Sequence, residues 1–115
     1  MVSTTAGVGV YVGKSGHAGF ASHANLTVLY NGEFDMWDLV EKGSLIDAVH
    51  QFIGATPKEA PEKYDELSSV QRVHAKVPAS LLLHRTADRC VSHEQSVAYH
   101  EALLDQGVHS EIEIY

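Results

Sequence analysis

Apolar and polar positions along this chain fall into blocks that switch between a two-residue and a three-to-four-residue period. Gly7-Val-Gly-Val-Tyr-Val-Gly13 is β-branched and aromatic between glycines and predicts a buried strand. Ser15 to Ala24 is small-residue rich and predicts a helix packed closely on a sheet. Leu26-Thr-Val-Leu-Tyr30 predicts a second strand, closed by the turn pair Asn31-Gly32. From Met36 to Ile53, apolar residues recur at three- and four-residue steps, as in helical turns broken near Gly43 and capped by Asp35 or Ser44. Thr56 to Tyr64 is a polar, proline-punctuated connection with room for one short helix. Pro78-Ala-Ser-Leu-Leu-Leu-His84 is apolar on both faces, as a central parallel strand should be. Ser92 can cap a helix from His93 to Gln106 in which Val97, Leu103 and Leu104 share a face, and Gly107 stops it. Glu111-Ile-Glu-Ile-Tyr115 alternates and predicts a last, half-exposed strand.

The order β-α-β-α-α-β-α-β argues for an α/β domain with about four parallel strands and helices on the faces of the sheet. In such sheets functional groups gather at the carboxyl ends of the strands. Those ends carry Lys14, Ser15 and Gly16, then Asn31 to Asp35, then Arg85 to Asp88.

Composition narrows the functions open to such a domain. At 115 residues and 12.5 kDa, positions 1–115 form a single domain. Eight Lys and Arg against 15 Asp and Glu give a net charge of −7, which disfavours nucleic-acid partners. One cysteine excludes an internal disulfide or a multi-thiolate zinc site. The eight histidines are scattered and none forms H-x-x-x-H, so no metal and no cofactor is expected. With no apolar run of transmembrane length and no basic, apolar leader after Met1, the expectation is a soluble, cytoplasmic chain without a membrane partner.

Gly13-Lys14-Ser15 follows a strand and precedes a helix, as a phosphate-binding loop would. That loop needs a glycine where Val8 stands, which argues against nucleotide binding. The same residues suit a strand–serine–helix nucleophile turn. There Ser15 sits on the sharp turn, and the Gly16 N–H points at a developing oxyanion. His17 occupies the place of the second glycine in G-x-S-x-G, and Ser15 as a plain helix cap stands as the alternative. Asp88, in the loop after a buried strand, either orients a histidine or closes a turn. Cys90 lies beside Arg89, a neighbour that can favour the thiolate, although an incidental thiol is the simpler reading.

Four stretches in order resemble the carboxyl-terminal half of an α/β-hydrolase, of the bacterial esterase/lipase-like and prolyl-oligopeptidase-like branch. Val10-Tyr-Val-Gly-Lys-Ser15-Gly-His-Ala is similar to its nucleophile elbow, and Val28-Leu-Tyr-Asn-Gly-Glu-Phe-Asp35-Met to the next strand and turn. Pro57 to Tyr64 with Ser68-Ser69-Val70 resembles its P-x-x-x-P-x-x-Y and S-P-apolar stretch. Ala79-Ser-Leu-Leu-Leu-His84-Arg-Thr-Ala-Asp88-Arg-Cys-Val91-Ser-His-Glu-Gln95-Ser resembles P-x-L-L-x-H-G-x-x-D-x-x-V-P-x-x-Q-S.

The resemblance implies a partial, truncated α/β-hydrolase domain with Ser15 as nucleophile, Gly16 as an oxyanion donor and Asp88 as triad acid. The family's catalytic histidine follows the last strand, and its second oxyanion donor lies upstream; neither stretch is in this sequence. His109 sits at the wrong end of its strand, about five residues of roughly 3.3 Å from the site. His17, His84 and His93 are the stand-ins at the correct end, and His93 joins Ser15 and Asp88 as the candidate set. The implied function is a serine carboxylesterase or lipase acting on a small carboxylic ester, weak or inactive without its own base. The alternative is a non-catalytic fragment serving as a structural or interaction module. In the complete fold the Ser15 strand is central, so here the apolar Val8–Val12 edge would be bare. A homodimer or larger assembly through that edge is expected.

Overall fold

Three parallel strands, β1 (Leu26–Tyr30), β2 (Ala79–His84) and β3 (Ser110–Ile114), lie side by side in chain order in the computed structural model, which describes residues 2–13, 16, 19–42 and 45–115. Leu26 pairs with Ala79 and Tyr30 with Leu83, while Ser80 pairs with Ser110 and His84 with Ile114. Helices α1 (Val2–Thr5), α2 (Met36–Lys42), α3 (Ile46–Ile53), α4 (Pro61–Leu67) and α5 (Glu94–Asp105) complete the architecture, with 3₁₀ turns at Gly9–Tyr11 and Ser69–Arg72.

Because side chains alternate across a strand, Ser80, Leu82 and His84 share one face of β2, and all three are buried. That face packs beneath α5, where Leu82 joins Phe34, Val77, Tyr99, Leu103 and Val108 in one core. The Phe34 and Tyr99 rings stack at 4.3 Å and 7°. A second core of Met36, Leu39, Val49, Ile53, Tyr64 and Val91 joins α2, α3 and α4 to the loop that precedes α5.

The turn between β1 and α2 is drawn tight by these cores. A Cβ on Gly32 would press into the Phe34 ring, so only glycine fits there. Gln95 Oε1 accepts the Phe34 and Asp35 N–H groups at 2.8 and 3.0 Å, and Ser68 Oγ accepts Met36 N–H at 2.9 Å. Asp35 caps α2 as expected, its Oδ1 accepting Trp37 N–H at 2.9 Å and Asp38 N–H at 3.4 Å. The alternative cap, Ser44, lies outside the described residues.

Two expectations fail here. The described residues carry three strands, not four, because Gly7–Gly13 forms no strand. Local hydrogen bonds take up its backbone instead: Val8 N–H to Thr5 O at 3.1 Å, Tyr11 N–H to Val8 O at 3.0 Å and Val12 N–H to Gly9 O at 3.2 Å. Tyr11 is also anchored away from the sheet, donating to Glu66 Oε1 at 2.7 Å under the Arg72 guanidinium. The expected helix over 15–24 is absent at residues 19–24, while Lys14, Ser15, His17 and Ala18 lie outside the described residues. Val8–Val12, named above for self-pairing, is thus not an edge strand. Among the described residues the edge strands are β1 and β3, and on one face of β1 Leu26, Val28 and Tyr30 are 61%, 49% and 66% exposed.

The buried stripe of α5 also differs from expectation. It runs through Gln95, Ser96, Tyr99 and Leu103, whereas Leu104 is half exposed. Gln95 and Ser96 lie inside because each is hydrogen-bonded there. Ser92 caps the start as expected, accepting Glu94 N–H at 3.3 Å, and the helix closes where Val108 N–H returns to Leu103 O at 2.9 Å.

Leu82→Ala is expected to cost about 3 kcal/mol in urea unfolding. Val10→Ala is expected to change stability by less than about 0.5 kcal/mol, since Val10 is 81% exposed. A comparable loss at both positions would mean that the Gly7–Gly13 segment is part of the core after all.

Candidate functional site

At the carboxyl end of β2 the chain must cross from the sheet to the start of α5, and Asp88 organises that crossing. Its Oδ1 accepts the N–H groups of Cys90 and Val91 at 2.8 and 3.0 Å. Its Oδ2 accepts the Asn31 Nδ2–H at 2.8 Å, bringing in the carboxyl end of β1. The carboxylate remains 14% exposed. The Val91 and Cys90 N–H bonds hold its pKa below the ordinary 3.8; partial burial opposes them, and the Arg85 charge, with that of His84 whenever it is protonated, adds to them.

Asn31 was placed at the carboxyl end of its strand and read as half of a turn pair; sequence reasoning missed its contact with Asp88. Its φ is +44°, a left-handed conformation that asparagine tolerates better than most residues. Its backbone N–H donates to Leu83 O at 2.9 Å, and its Oδ1 accepts Arg85 N–H at 3.2 Å.

His84 was one stand-in for the catalytic base, and its surroundings exclude that role. It is fully buried. Nε2 faces Val91 O at 3.1 Å, an atom that can only accept, so Nε2 carries the proton. Nδ1, 2.7 Å from Ser96 Oγ, then accepts the serine hydroxyl. Both nitrogens are engaged, and Nε2 is 3.8 Å from Asp88 Oδ2, beyond hydrogen-bond reach. The ring braces the loop instead.

His93 sits half-buried at the start of α5, on the wall of a cleft of about 290 Å³ that Asp88, Cys90, Ser92 and Lys42 also line. Asp88 and His93 therefore share one open space, with no hydrogen bond between them. Ser15 and His17 lie outside the described residues. Gly16 takes φ +90°, a backbone conformation that favours glycine. A larger cleft, about 870 Å³, opens at the opposite end of the strands between the amino-terminal segment and His74 and Lys76, away from Asp88. Among the described residues no cluster of side chains could hold a metal ion, and no helix is long and apolar enough to cross a membrane.

A family model described as BD-FAE matches residues 12–103. The acetyl ester-xyloside bifunctional hydrolase of Caldicellulosiruptor lactoaceticus is similar over 99% of this chain and 40% of its own, at 23% identity and a TM-score of 0.81. A truncated carbohydrate esterase from gut microbiota is similar over 84% of this chain and 35% of its own, at 25% identity and a TM-score of 0.72. A puromycin-hydrolyzing peptidase of Mycobacterium tuberculosis matches 79% of this chain and 14% of its own, at 23% identity and a TM-score of 0.68. The chain thus spans 40% or less of the length of these relatives. No curated protein matches it by sequence.

Because the folded Asp88 pKa lies below its unfolded value, the carboxylate's contribution to stability is complete above that unfolded value. It is lost as pH falls through the folded pKa. Asp88→Asn is therefore expected to lower the urea midpoint at neutral pH and to narrow its deficit against the native chain as pH drops below about 4. Stability profiles that stay parallel down to about pH 2 would contradict it.

Proposed function

This chain belongs to the BD-FAE family, and from that premise we propose that it carries the serine, acid and oxyanion parts of a carboxylic-ester hydrolase on a partial α/β-hydrolase fold. The observation that carries the reading is the Asp88 carboxylate. It is charged, fixed by three donors and open to a cleft at the strand ends where such sites form.

In this reading the Ser15 hydroxyl attacks the acyl carbon of a small carboxylic ester, and its proton passes to a histidine. The Gly16 N–H stabilises the oxyanion as the tetrahedral intermediate forms. The histidine returns the proton to the departing alcohol as the C–O bond breaks, and water then releases the acid from Ser15 by the same route. Asp88 holds the histidine and offsets its positive charge.

His93 is favoured over His84 as this chain's own base, because it lines the Asp88 cleft and its ring has no hydrogen bond among the described residues, whereas both His84 nitrogens are engaged. The missing hydrogen bond between His93 and Asp88 supports weak turnover at most, since a serine without an oriented base is a poor nucleophile at neutral pH. A second reading, a non-catalytic structural module, is favoured by one observation. The Cys90 and Val91 N–H bonds to Oδ1 are those of an aspartate that closes a loop.

Labelling with a fluorophosphonate probe separates the two. Covalent labelling of the native chain that disappears in Ser15→Ala is the expected result. A folded native sample that takes up no probe leaves the structural module as the function.

A further inference from the structure

We propose that Asn31 is the positioning residue for the Asp88 carboxylate, holding it through an amide whose orientation is fixed at both ends. The inference rests on the reading of Asp88 as triad acid. Nδ2 donates to Asp88 Oδ2 at 2.8 Å, and Oδ1 accepts Arg85 N–H at 3.2 Å. Turning the amide over would set Oδ1 against a carboxylate oxygen and Nδ2 against an N–H group, losing both bonds and adding two repulsions. Neither partner can switch roles, since a carboxylate only accepts and a backbone N–H only donates. The left-handed backbone at Asn31 and its N–H bond to Leu83 O at 2.9 Å anchor the residue to the sheet itself.

The division of labour at Asp88 follows. Oδ1 is occupied by the two N–H groups of its own loop, which would form in any aspartate-closed turn. Oδ2 is the oxygen left for a catalytic partner, and Asn31 donates to it at 2.8 Å. Asn31 therefore sets the direction in which the remaining lone pair of Oδ2 points. Asn31 acts through Asp88, which in turn orients the base, so Asn31 touches neither substrate nor reacting atoms.

Asp88 titration, followed by carboxyl carbon NMR in the full chain, reads this coupling without any turnover. The charged and titratable groups around Asp88 are His84 from β2 and Arg85 from the loop, with Asp38, Lys42, Arg89, Cys90 and His93 on the cleft walls. Asn31→Gly keeps the left-handed backbone and removes only the side chain. It is expected to raise the Asp88 midpoint by about 1 pH unit, since a donor to the charged form is lost. Leu81 to Leu83 amide signals should stay in place. Asn31→Asp keeps the Arg85 acceptor and sets a second carboxylate against Oδ2. The pair should then titrate together, with its upper step above the native Asp88 midpoint. This variant supplies the readout should Asn31→Gly fail to fold. An Asp88 midpoint equal to the native one in either folded variant overturns the proposal. Probe labelling of Ser15 plays no part in this readout, so a silent serine would defeat the hydrolase reading while the titration still judges Asn31.

Discussion

A chain turn buried between helices must find a partner for each N–H and C=O it carries, and the stretch from Phe34 to Met36 meets the demand of its three N–H groups entirely from side chains. Gln95 takes two N–H groups on one oxygen, Ser68 takes a third, and Val70 N–H satisfies Phe34 O at 3.0 Å. Gln95 also donates to Asp38 Oδ2 at 3.2 Å, so one buried residue ties the start of α5 to both the turn and α2. The spacing between β1 and α5 is set by these bonds. The loop from Arg85 to His93 has to bridge that spacing, and the place of Asp88 follows from it. Loss of the Gln95 amide would leave two buried N–H groups unpaired, a larger penalty than the bonds themselves are worth.

Those bonds also explain what a reading of the sequence captures and what it misses. Leu26–Tyr30 and Ala79–His84 were legible because their propensity, patterning and turn residues agree, and the structure pairs them in parallel. Gly7–Gly13 carries the same strand composition, yet its N–H groups find partners three residues away and Tyr11 is drawn to Glu66 and Arg72. Composition reports what a segment would do in a sheet, not whether a neighbour competes for it. In α5 the apolar spacing pointed to Val97, Leu103 and Leu104. The true inner stripe includes Gln95 and Ser96, polar residues that hydrophobic periodicity discards.

The site was legible to a similar depth. Asp88 was found because it is an acid in the loop after a buried strand, and the structure places it at the strand end beside a cleft. His84 was counted among possible bases because its position along the chain is correct. Position says nothing of burial, and a ring with Ser96 on one nitrogen and Val91 O on the other has no nitrogen left for a ligand. Asn31 was placed at a strand end but given no role, because its contribution comes from a contact 57 positions away along the chain. Local turn chemistry accounts for its presence well enough to hide that second task.

The pair Asn31-Gly32 also bears on how the molecule ages. In an Asn-Gly pair the glycine nitrogen, unshielded by any side chain, can attack the asparagine side-chain carbonyl, expel ammonia and close a succinimide that water opens to aspartate or isoaspartate. Here the amide carbonyl is held on Arg85 N–H and its nitrogen on Asp88, which withholds the carbonyl from its own backbone. The bonds that aim the Asp88 carboxylate thus also preserve the group that does the aiming. A stored sample in which the latch has opened long enough to deamidate would carry a new negative charge facing Asp88. It would differ from fresh protein by one unit of charge at the strand ends and nowhere else.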